Sequence, residues 1–144
     1  GLASAQHPLR AFTDADCQPG PGWLAAIAGP VAAGAPACFS YAPYPPGGGL
    51  LPSLVAYDTF AIAAQNFGFA GWGRPYMATG RSWACRAGFL ETGLALHAAT
   101  PSGDDDIAVN HAMGVVAQPS PAAQVPSPPA PTWRAYIRQK ARHT

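Results

Sequence analysis

The sequence predicts a mainly α chain with extensive irregular Pro/Gly-rich coil, two or three short helices, no sizeable sheet and room for one membrane span. Three observations carry that expectation. Sixteen glycines and 17 prolines stand among 144 residues, and both residue types break regular elements. Charged residues make up 10% of the chain, against about a quarter of an average soluble domain. The longest apolar run, Leu50 to Trp72, is apolar or aromatic except for Ser53, Asp58, Thr59, Gln65 and Asn66. Together these divide the chain into an irregular N-terminal arm (1–49), a small helical core (50–117), a Pro-rich linker (118–132) and a basic amphipathic C-terminal tail (133–144).

Residues 1–22 lack periodicity, and Asp14, Asp16, Pro19 and Pro21 mark an arm or loop. A chain that starts at Gly1 is consistent with a removed targeting segment. Trp23, Leu24 and Ile27 share a face of a short helix that Gly29 and Pro30 should end. The stretch Tyr41 to Gly49 combines Pro45 and Pro46 with three glycines, which excludes regular structure.

The first core helix is expected near Ser53 to Phe67, with Ser53 as its cap. Asp58 and Gln65, like Thr59 and Asn66, are seven residues apart. The polar groups therefore fall on one narrow stripe of an otherwise apolar helix. Such a helix is buried in protein or placed in lipid, and the run just reaches the roughly 20 apolar residues of a span. Trp72, Arg74 and Tyr76 then supply interfacial residue types. Against a span stands Asp58, whose charge near mid-bilayer costs about 2.5–3.5 kcal/mol.

Gly68 to Pro75 is a turn without the glycine pattern or lysine of a phosphate loop, which excludes nucleotide binding by such a loop. A second helix is expected over Tyr76 to Ala99, where Trp83, Ala87, Leu90, Leu94 and Ala98 step along one face. A third should run from about Asp105 to Ala117, its aspartates stabilising the exposed first-turn amides. Residues 118–131 read as an extended, semi-rigid spacer.

In the tail, Trp133, Tyr136, Ile137 and Lys140 share one side of a helix, and Arg134, Arg138 and Arg142 another. These seven residues are the candidate partner-binding set. Outside the tail, Arg10, Arg74, Arg81 and Arg86 face seven acidic residues, so the tail sets the net charge of +1. A basic amphipathic helix suits an acidic partner, an anionic membrane surface or RNA. With so few cations and no recognised module, nucleic acid is disfavoured.

Chemistry-bearing residues are sparse. Cys17, Cys38 and Cys85 lack the two-residue spacing of a zinc knuckle or redox motif. Three buried thiols, or one disulfide with a free thiol, are the two readings. His97 and His111, the histidines of the core, are candidate axial ligands of a haem or a chlorophyll, with Gln65 and Asn66 as oxygen donors; no cofactor is firmly implied. Asp104, Asp106, Asn110 and His111 could surround a divalent ion, although aspartates before a helix more often cap it. No nucleophile–base pair has a signalled third residue.

The function expected is therefore a non-catalytic structural accessory subunit of a large assembly. A photosynthetic or respiratory membrane complex of an organelle (thylakoid or mitochondrial inner membrane) fits best. Its partners would be other protein subunits, with membrane contact allowed and a small-molecule substrate disfavoured. The alternatives are a small exported binding domain or enzyme with one disulfide, and a chlorophyll- or haem-carrying protein.

Overall fold

A computed structural model of the chain describes residues 6–45, 47–89, 104–110 and 112–141. The elements in order are β1 (Leu9–Phe12), α1 (Trp23–Ala32), β2 (Ala37–Ser40), α2 (Leu50–Gly71), β3 (Trp83–Arg86), α3 (Asp104–Asn110), β4 (Val116–Gln118), a 3-10 turn (Pro121–Ala123) and α4 (Trp133–Lys140). The four strands form one mixed sheet in the order β1-β3-β2-β4. β3 pairs antiparallel with both β1 and β2, and β4 runs parallel to β2. The fold is thus mixed α/β, which overturns the expectation of a mainly α chain with no sizeable sheet.

The strands escape a reading by periodicity for a physical reason. All four residues of β2 are buried, as are the first three of β3. A strand covered on both faces shows no polar alternation. Ala37, Phe39, Trp83 and Cys85 face one layer, completed by Val109 of α3, Val115, and Phe67 and Ala70 of α2. Cys38 and Ala84 face the other, with Trp23, Ile27 and Val31 of α1 and with Ala123 and Val125. The segment expected to be an irregular arm therefore supplies two strands and a helix. Within the expected Tyr76–Ala99 helix, Trp83–Arg86 is instead β3, where Trp83 stacks on Phe12 with ring centroids 4.5 Å apart; residues 87–89 are helical, and residues 90–99 lie outside the described residues.

α1 continues past Gly29 and Pro30 because Val31, two turns beyond Trp23, is fully buried. Its C-terminal end receives a cationic donor, Arg86 Nη2 bonding the Val31 carbonyl at 2.9 Å. α2 is longer than expected, at 22 residues. Gly49, at φ 114°, precedes it, and the Ser53 hydroxyl donates back to the Gly49 carbonyl at 2.9 Å instead of capping an amide. Among the described residues no helix is long and apolar enough to cross a membrane, so the expected span is withdrawn. The interruptions at Asp58, Gln65 and Asn66 serve contacts within the protein. α3 ends at Asn110, and Val116 and Ala117, expected to be helical, are sheet residues.

Residues 118–132 are not a free spacer. Ala123 and Val125 are fully buried against α1. The Ser82 hydroxyl accepts from the Trp23 indole at 3.0 Å and donates to the Ala123 carbonyl at 2.7 Å.

Candidate docking surface

α2 lies at the margin of the molecule, with only Val55 and Asn66 buried along its length. Leu50, Leu54 and Tyr57 recur at helical spacing, and Phe60 flanks them. All four are exposed, Leu50 at 76% and Tyr57 at 70%. Ala64 and Gly68 continue the exposed stripe. Phe69 and Trp72 expose a second aromatic pair at the helix end, packed edge to face.

α4 is held against α2 through the one acidic residue of that helix. Asp58 forms an ion pair with Lys140 and accepts from the Tyr136 hydroxyl at 3.4 Å. A second tether runs from Gln139 Nε2 to the Tyr44 hydroxyl at 3.0 Å. The Arg81 guanidinium lies 4.1 Å over the Tyr44 ring and donates to the Ala42 carbonyl and the Ser127 hydroxyl. Tyr44 is thereby a rigid post. Thr132 caps α4, its hydroxyl accepting from the Ala135 amide at 3.2 Å. On the same side of α4 as Tyr136 and Lys140, Trp133 and Ile137 remain exposed, at 47% and 62%. Arg134 and Arg138 are exposed as well. The tail forms the amphipathic helix read from its sequence, but Tyr136 and Lys140 are engaged inside the chain. Arg142, the last of the candidate set, lies outside the described residues.

The far half of α2 holds a different group. Asn66 Nδ2 donates to the Met77 carbonyl at 2.8 Å, and its Oδ1 accepts from the Tyr76 amide. Tyr76 also reaches Gln65. The two amides considered as oxygen ligands are therefore fasteners of the loop after α2. That loop in turn holds α3, because the Asp106 carboxylate accepts from the Ala78 amide at 2.9 Å. Burial, and then the negative charge of Asp106, push the Tyr76 hydroxyl above its usual range.

Phe67, Ala70 and Gly71 of α2 and Val115, Val116, Ala117 and Pro119 line an open apolar groove of about 400 Å³. His97 and His111 lie outside the described residues. Among the described residues one set of potential ligand atoms comes together, from Asp14, Asp16 and Cys17, within 4.8 Å of one another on an exposed turn. The three thiols are free. Cys38 and Cys85 face opposite layers of the sheet, and burial pushes both up to about 12.

The sequence pointed to the tail but missed Tyr44, Arg81 and Gln139, which tie it down. No local pattern marks them, since their partners are 39 to 95 residues away. The chain matches no protein-family model, and a search of curated proteins finds no significant match.

Proposed function

We propose that the chain is a non-catalytic structural accessory subunit of a large membrane-associated assembly, docking through the face made by α2 and α4. The exposure of Leu50, Tyr57 and Phe60 along a helix with two buried side chains carries this reading. Contiguous exposed apolar surface of this kind marks an interaction site. The low charge content supports it, because a surface covered by partners does not need the charges that keep a lone protein in solution. A photosynthetic or respiratory membrane of an organelle is the proposed setting. The test is the native mass of the endogenous protein after mild detergent extraction, with co-migrating polypeptides identified. A mass far above 14.8 kDa with defined partners supports the reading. A monomer in detergent-free buffer sinks it.

A further inference from the structure

We infer that the α2–α4 face seats on an anionic lipid bilayer surface, with α2 lying in the plane of the interface; this rests on the docking reading of the same face. Three observations select lipid headgroups over a protein groove. The first is the residue set. Leu50, Leu54, Tyr57 and Phe60 on α2 and Trp133 and Ile137 on α4 are exposed apolar and aromatic side chains, the types that enter the acyl boundary from a peripheral helix. The second is charge. α4 carries Arg134, Arg138 and Lys140 and no acid, and the only acid of α2, Asp58, is compensated by Lys140. The apolar face is thus flanked by cations with no uncompensated carboxylate on either helix, which complements an anionic leaflet. The third is geometry. No described helix is long and apolar enough to span, while the Asp58 contacts with Tyr136 and Lys140 hold the basic helix beside the apolar one. Arginines on the outer side of α4 then reach headgroup phosphates as Trp133 and Tyr57 take the interfacial depth that aromatic residues prefer.

The experiment is flotation of the full chain with phosphatidylcholine vesicles, with and without phosphatidylserine. Binding is expected to the anionic vesicles, to fall with added salt and to be weak on the neutral ones. Near an anionic surface each arginine is worth about fivefold in partition, so Arg134→Gln with Arg138→Gln weakens binding by about 25-fold. Both side chains are exposed, so the double variant keeps its fold, checked by circular dichroism. Tyr57→Ser with Phe60→Ser should reduce flotation on both vesicle types. Equal flotation on neutral and anionic vesicles, or no effect of the arginine pair, overturns the inference. Absence of flotation from a protein that still migrates with defined polypeptides overturns it too, and leaves the docking reading standing with a protein on this face. Absence of both flotation and partners removes the two together.

Discussion

Replacing Ser82 by alanine should cost far more than its size suggests. The hydroxyl is fully buried and joins three separate parts of the chain: the Trp23 indole on α1, its own position before β3, and the Ala123 carbonyl in the 3-10 turn. Alanine leaves a buried N–H and a buried carbonyl without this partner. Each such loss costs about 1–3 kcal/mol, so the variant should lose about 2–6 kcal/mol of a total stability on the order of 5–15 kcal/mol for a domain. Urea unfolding followed by tryptophan fluorescence measures the loss, and the Trp23 indole N–H resonance reports the broken bond directly. Ser53→Ala is the control. Its hydroxyl bonds the Gly49 carbonyl on the exposed side of α2, and its removal should stay within about 0.5 kcal/mol. A Ser82→Ala loss no larger than that of Ser53→Ala, with an unmoved indole resonance, would refute the buried relay.

Truncation after Gln118 should destabilise the whole fold by at least about 3 kcal/mol, because Ala123 and Val125 leave the α1 layer; a melting curve unchanged by truncation would restore the detachable linker. Asp58→Asn should change global stability by less than about 1 kcal/mol, since the ion pair is partly exposed, while amide exchange in α4 speeds up; equal exchange in both proteins would show that Asp58 does not hold the tail. Iodoacetamide at pH 8 should modify the half-buried Cys17 in the native protein and reach Cys38 and Cys85 only after unfolding. Burial raises these two thiols to about 12, so folding favours their neutral form. Their contribution is complete below the unfolded thiol value of about 8.5 and is lost as pH rises toward 12. Alanine at both positions should flatten that alkaline decline, and an unaltered slope would contradict it.

The sequence was most legible where a single helix face announced itself. Of the tail pattern, Tyr136 and Lys140 meet Asp58 of α2 while Trp133 and Ile137 stay exposed, and of the α1 face Trp23 and Ile27 are buried while Leu24 is exposed. It was least legible in the sheet. Ala37 to Ser40 and Trp83 to Cys85 are short and buried on both sides, so neither period 2 nor period 3.6 marks them. Within the expected Tyr76–Ala99 helix, Trp83 to Arg86 is a strand, and only its pairing with Leu9–Phe12 and Ala37–Phe39 decides that. Proline content misled at Gln118 to Pro131. Proline stiffens a segment but does not stop Ala123 and Val125 from packing. The candidate face was half visible: the apolar run and the basic tail are written in the sequence, whereas their meeting at Asp58 depends on tertiary structure.

The parallel pairing of β4 with β2 also dictates an order of events during synthesis. Ser40 bonds the backbone of Gln118, 78 residues later, so that place in the sheet is filled late in the chain. α2 therefore emerges from the ribosome before β3 and β4 exist, while its apolar length has neither the sheet layer nor α4 beside it. Non-local strand pairing is slow to close, and transiently bare apolar surface is where newly made chains associate wrongly. A nascent chain stalled between residues 72 and 115 should thus be the stage most dependent on chaperones.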